Sequence, residues 1–245
     1  MRLPGDQPDE GIEERLQVAL EETLNKARAT GISLYLTGGT AASLYSASSV
    51  RPLSFDLDFL ILSEAENPEG SIGKVMEEFG VTFRRFTEKP TFKSYKGVGT
   101  SENGCSLDFI LDQTVVPDES IPECSLTTFV DEFVASRAQT RMFEGVSVGV
   151  VPPEYVVLTK LFAGRGIDKG KYDLVDVATI LDNIENNGFD VTFFDILLQK
   201  YLAEKSPEQE KAVRDRLNMS IQRLIEGAMQ YKLDERAIQL LGDMI

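Results

Sequence analysis

The chain has no histidine, no tryptophan and only two cysteines in 245 residues, and its Lys and Arg are outnumbered by Asp and Glu 25 to 40. Each shortage excludes a class of chemistry. Without histidine there is no Ser-His-Asp relay, no imidazole base and no His-ligated zinc. Two cysteines, Cys105 and Cys124, are too few for a structural zinc site or a disulfide framework, and they suit a reducing cytoplasm, where the chain is expected. A net charge of −15 argues against a broad nucleic-acid-binding surface. No apolar run reaches the 18 or so residues of a membrane helix, so no membrane association is expected. The opening segment, Met1 to Glu10, lacks the apolar stretch of a secretory signal. Carboxylates in excess remain, and with them the chemistry of hard, oxygen-ligated cations.

Two of those carboxylates stand out. Asp56 and Asp58 lie within the stretch Arg51-Pro52-Leu53-Ser54-Phe55-Asp56-Leu57-Asp58-Phe59-Leu60-Ile61-Leu62. A strand sends residues i and i+2 to one face, so both carboxylates project together while Phe55, Leu57 and Phe59 face the other way. Adjacent carboxylates repel, and a cation or a proton resolves the conflict. On their own they also fit an edge strand with an acidic solvent face. Upstream, Ile32-Ser33-Leu34-Tyr35-Leu36 reads as a strand, Gly38-Gly39 as a turn, and Thr40-Ala41-Ala42-Ser43-Leu44-Tyr45 as the opening of a helix capped by Thr37 or Thr40. Strand, glycine turn and helix N-terminus together form an anion cradle, because backbone N–H groups approach phosphate oxygens closely there. Cradle and carboxylate pair combined point to phosphoryl transfer, in which positioning and charge neutralisation supply most of the catalysis.

A third carboxylate would complete a two-metal site. Asp108, in Leu107-Asp108-Phe109-Ile110-Leu111, repeats the context of Asp58 in Leu57-Asp58-Phe59-Leu60-Ile61, which predicts a neighbouring strand of similar burial. Asp112, four residues on, is the weaker candidate.

Along the chain the pattern predicts a helix from Gly11 to about Thr30, then the sheet, with a helix over 70–79 and strands over 81–86, 92–98 and 105–111. Residues 125–133 are expected to form a short helix. Two strands, 137–143 and 146–151, are expected to pair around Glu144-Gly145. Pro152-Pro153 marks the expected domain break, giving an N-terminal catalytic domain over 1–151 and an α-helical domain over 152–245. Helices are expected over 154–163, 172–183, 191–203, 207–231 and 235–244. The fold class is thus α/β: a mixed sheet followed by a helical bundle.

These residues resemble the DNA polymerase beta-like nucleotidyltransferase superfamily, and within it the abortive-infection branch that includes toxins of toxin–antitoxin pairs. The likeness rests on Gly38-Gly39-Thr40-Ala41, on Arg51 and Ser54 ahead of Asp56-Leu57-Asp58-Phe59, on Asp108, on Lys160 in a downstream helix, and on Lys171 followed by Asp173-Leu174-Val175-Asp176. The resemblance implies a Mg²⁺-dependent transferase that moves a nucleoside monophosphate from an NTP to an acceptor hydroxyl on tRNA, protein or a small molecule. Gly38, Gly39 and Thr40, with Arg51 and Ser54, would bind the nucleotide. Asp56, Asp58 and Asp108 would hold two Mg²⁺, and Lys160 would neutralise phosphate charge. A cognate antitoxin is the implied partner. Two bland readings stay open: Lys160 as a solvated helix lysine, and Asp173 and Asp176 as an acidic first turn favoured by the helix dipole. A non-catalytic, antitoxin-like protein on the same fold is the alternative function, and retention of all three aspartates discriminates against it.

One basic stretch interrupts the acidic chain: Arg84, Arg85, Lys89, Lys93 and Lys96, interleaved with Phe83, Phe86, Phe92 and Tyr95. It fits an RNA or nucleotide contact, though such an arrangement is more often a strand pair with charged outer and aromatic inner faces.

Overall fold

A computed structural model describes residues 11–46, 56–62, 68–85, 95–115, 124–166 and 172–244. The chain divides into two compact units. The first draws its described residues from 1–44, 52–113 and 129–152, the second from 45–51, 114–128 and 153–245.

The first unit is built on a seven-stranded mixed sheet. Its strands are β1 (Leu34–Thr37), β2 (Asp56–Ile61), β3 (Thr82–Arg85), β4 (Tyr95–Thr100), β5 (Ser106–Ile110), β8 (Gln139–Phe143) and β9 (Val146–Val150), in the order β3-β4-β5-β2-β1-β9-β8. A separate two-stranded ribbon pairs β6 (Asp112–Val115) with β7 (Leu126–Phe129). β2 runs parallel to β5 and β1 parallel to β9, and the other neighbours are antiparallel. Register assigns the faces. Leu36 lies opposite Phe59, and Phe59 is the register partner of Phe109. The two rings stack with centroids 5.8 Å apart, and Phe79 packs on Phe109 at 4.6 Å. That ring comes from α3 (Pro68–Phe79), which also touches α1 (Ile12–Thr30), so an apolar layer covers this side of the sheet. Leu57, Phe59 and Phe109 are fully buried within it. The opposite face carries Thr37, Asp58 and Asp108 in one row.

Local chemistry explains the ends of these elements. α1 closes on Gly31 at φ 71°, the left-handed cap that lacks a Cβ penalty. The β8–β9 hairpin turns through Glu144 and Gly145, both at positive φ, as a two-residue turn matched to strand twist requires. The sequence predicts a helix over 125–133; the structure instead forms β7, with a burial pattern alternating buried and half-buried, and then a four-residue helix, α4 (Glu132–Ala135), capped by Asp131. Leu126-Thr127-Thr128-Phe129 is rich in β-branched and aromatic residues, which favour a pleated, half-buried strand.

The second unit is helical, centred on α5 (Pro153–Ala163). Every residue of α5 except Lys160 is buried, which marks a helix enclosed on all sides. Around it stand α6 (Asp173–Leu181), α8 (Val191–Leu202) and α9 (Pro207–Glu226). Ser206 and Gln209 form a capping box at the start of α9, and Asp190 caps α8. The helix predicted over 207–231 is interrupted at Gly227, where α9 ends and a short α10 (Ala228–Tyr231) begins. Glycine is among the poorest helix formers. α7 (Ile184–Asn187) and α11 (Glu235–Asp243) complete the unit.

Candidate active site

Asp56 and Asp58 project from β2, and the parallel register sets Asp58 beside Asp108 of β5. Neighbouring strands lie about 4.8 Å apart and alternate residues about 6.6 Å, so the three carboxylates share one small patch of one face. Asp108 is 8% exposed, and Asp56 and Asp58 are half-buried. Asp56 Oδ1 is buried and has no hydrogen-bond partner. Such an atom carries a desolvation cost that a cation would relieve. Asp112, the weaker third candidate, opens the β6 ribbon and is not on the seven-stranded sheet.

β1 delivers the second component. Thr37, its last residue, lies opposite Asp58, and the chain passes directly into α2 (Gly38–Tyr45). The two glycines thus form the first turn of the helix itself and not a loop ahead of it. Gly38 has φ +67°, and a Cβ built on it would overlap Asp58 Oδ2 and stand 2.8 Å from Cγ. The backbone at the start of α2 therefore rests against the carboxylate, a close approach that only glycine permits. The free N–H groups of this turn and the positive end of the helix dipole favour an anion. Thr40 is buried, and its Oγ1 has no hydrogen-bond partner. Arg51 and Ser54 lie outside the described residues.

Lys160 stands in the second unit, inside an ion cluster. Its Nζ is 3.1 Å from Asp173 Oδ1 and 2.8 Å from Asp176 Oδ2. Arg165 donates Nε to Asp173 Oδ2 at 2.5 Å and Nη2 to Asp173 Oδ1 at 3.3 Å. Both aspartate side chains are 4% exposed and that of Lys160 is 15% exposed. Two cations thus meet two buried carboxylates, Lys160 largely enclosed and Arg165 half-exposed. Lys160 is therefore not a solvated lysine, and the two aspartates do more than open a helix. Arg165 was not identifiable from the sequence; the one signal available was a guanidinium directly after a helix-ending glycine. For the basic stretch, the backbone pairs Arg84 with Lys96 across β3 and β4, while Lys89 and Lys93 lie outside the described residues.

A family model described as nucleotidyl transferase AbiEii toxin, type IV TA system, matches residues 22–239. The chain belongs to the AbiEii family. An AbiEii match over most of the chain bears out the nucleotidyltransferase resemblance drawn from Gly38-Gly39-Thr40 and the three aspartates, and assigns a transferase class. No curated protein matches the chain. Among solved structures, JHP933 from Helicobacter pylori is 14% identical, with 97% of this chain and 91% of that one covered and a TM-score of 0.41. An antigenic nucleotidyltransferase-like protein from Paracoccidioides brasiliensis is 12% identical, covering 84% of this chain and 94% of its own, at TM-score 0.40. The antibiotic-resistance factor ANT(2'')-Ia is 10% identical over 89% of this chain and 99% of its own, at TM-score 0.41.

Proposed function

We propose that this AbiEii protein transfers a nucleoside monophosphate from an NTP to an acceptor hydroxyl, releasing pyrophosphate, and serves as the toxin of a toxin–antitoxin pair. The observation that supports this most is the seating of the Gly38 backbone against the Asp58 carboxylate, with Asp108 in register beside it. Phosphate donors and cation-seeking oxygens thereby occupy one patch.

Asp56, Asp58 and Asp108 fit Mg²⁺: all are hard oxygen donors, and Asp56 Oδ1 is a buried oxygen lacking a partner. Among the described residues no three acidic side chains converge as a ready-made cage. Mg²⁺ commonly takes one or two carboxylates and completes its shell with substrate phosphates and water. When bound, the metal pair would supply charge neutralisation to the attacking and leaving oxygens.

The chain's own groups do the rest. Backbone N–H groups at the start of α2 hold phosphate oxygens, and the Thr40 hydroxyl is available to donate. Asp108 takes the proton of the acceptor hydroxyl as its oxygen bonds to the α-phosphorus and the bond to the bridging oxygen of pyrophosphate breaks. Arg51 and Ser54 are proposed as nucleotide contacts, and Lys160 as the group that neutralises phosphate charge. The acceptor is a hydroxyl of tRNA, of protein or of a small molecule. A cytoplasmic setting accords with Cys105 and Cys124 forming no disulfide, and among the described residues no helix is long and apolar enough to cross a membrane.

The test is incubation with each NTP labelled at its α-phosphate, Mg²⁺ and total cellular RNA, beside an Asp56→Asn/Asp58→Asn control. Label in RNA or protein that vanishes in the control supports transfer and reveals both base and acceptor class. Absence of label together with absence of Mg²⁺-dependent NTP binding refutes the reading in favour of a non-catalytic, antitoxin-like protein.

A further inference from the structure

The last carbonyls of a helix have no donors within the helix. At the end of α5 three successive carbonyls are taken by two arginines of α9. Arg216 donates Nε to the Phe162 carbonyl at 3.1 Å and Nη2 to that of Ala163 at 2.5 Å, and Arg223 donates Nη1 to that of Gly164 at 2.8 Å. Cations at this end also oppose the negative pole of the helix. Arg216 and Arg223 stand two turns apart on the side of α9 that buries Val213, Leu217, Ser220 and Leu224. A side chain at the corner they grip would be strained and would push Arg216 aside. Gly164 has φ +59°, and a Cβ there would overlap Arg216 Nη2 and Ser220 Oγ.

The gripped corner bears the ion cluster. Gly164 N donates to the Lys160 carbonyl at 2.9 Å, one turn back. Arg165 follows directly, its carbonyl accepting from Leu174 N at 3.2 Å and its guanidinium clasping Asp173. A shift of the corner would therefore move Lys160 and Arg165 relative to Asp173 and Asp176.

We propose that Arg216 and Arg223 are positioning residues for the transfer reaction: by fixing the carbonyls of 162–164 they set where Lys160 and Arg165 stand against Asp173 and Asp176. This gives α9 a part in the ion cluster, beyond filling the bundle. It rests on the reading that Lys160 serves transfer; that the two arginines hold Lys160 in place can be tested without it.

The experiment uses the full chain with Arg216→Ala, Arg216→Lys and Arg223→Ala, each alone and combined with Lys160→Ala. Arg216→Lys keeps the charge but loses the two-pronged grip, and it substitutes for the alanine variant if that fails to fold. In the label-transfer assay Arg216→Ala should lower kcat about tenfold to a hundredfold with KM within about twofold, the cost of misplacement by roughly 1 Å. In the Lys160→Ala background the same change should cost less than about twofold, since coupled residues are not additive. Equal losses in both backgrounds would reduce the arginines to general scaffolding and overturn the proposal. A second readout needs no activity: acylation of lysines followed by mass spectrometry. Lys160 should label about fivefold faster in the arginine variants, with exposed Lys26 of α1 unchanged, because the corner opens locally. Unchanged Lys160 labelling in variants that still melt cooperatively would overturn the proposal. A wild-type chain that neither transfers label nor binds NTP with Mg²⁺ refutes the proposed function, and the labelling result still decides what the arginines hold.

Discussion

Replacing Gly38 by alanine separates the site from the scaffold. At φ +67° an alanine costs about 1–2 kcal/mol in the left-handed region. The new Cβ would sit 2.8 Å from Asp58 Cγ, where carbon atoms at rest keep about 3.5–4.0 Å, so the carboxylate must retreat by about 1 Å. The net stability loss is then about 1–2 kcal/mol, read as a fall in Tm of roughly 2–8 °C for a chain of this size. A displacement of about 1 Å at a reacting group is worth up to 10² in rate. The expected signature is thus a modest thermal shift beside a loss of label transfer about a hundredfold. Gly73→Ala is the control, because a Cβ there meets nothing within 4 Å and its φ is ordinary; it should keep full activity and gain a few tenths of a kcal/mol or more. Wild-type transfer by Gly38→Ala would refute the claim that the carboxylate is seated on this backbone.

Asp58→Asn should abolish transfer with Tm held within a few degrees, and Asp108→Ala should do the same; retained activity in the second would refute the role given to Asp108. Asp173→Ala removes one of the two carboxylates on Lys160 and the partner of half-exposed Arg165, and should lower stability by about 1.5–3 kcal/mol in urea unfolding, a loss that Asp195→Ala on the exposed side of α8 should not reproduce. Cys105 is buried, and desolvation, ahead of the opposing hydrogen bond from Ser101, raises its thiol above the ordinary value of 9.0. The folded chain then holds the proton that the unfolded chain releases, so stability is intact below 9.0 and falls as pH rises past it. A Cys105→Ala variant should show a flatter decline in denaturant midpoint between neutral and alkaline pH.

The carboxylate face was legible because its signals are local. Period-two alternation assigns Asp56 and Asp58 to one face, and the matched contexts of Asp58 and Asp108 reflect matched positions on adjacent strands, confirmed by the register. The helices of the second unit were legible from period and caps. What escaped has no local signature. The β7 run, Leu126 to Phe129, is too short for its period to separate strand from helix. The clasp of Lys160 and Arg165 on Asp173 depends on how α5 packs on α6, which spacing along the chain does not encode. The grip of α9 on 162–164 joins residues more than fifty positions apart and was invisible for the same reason.

The parallel pairing of β2 with β5 also orders events during synthesis. Asp58 and Asp108 are register partners, yet fifty positions of chain separate them (108 less 58), and that span includes α3, β3 and β4. Parallel strands cannot close through a tight hairpin, so a ribosome working at about 5–20 residues per second needs some 3–10 s to carry the nascent chain from one aspartate to the other. During that interval the acidic patch exists only in part. α5, which begins at Pro153, and with it the Lys160 cluster, is made later still. A product that ends between the two aspartates would accordingly lack the register partner of Asp58 and, with it, half of the paired acidic face.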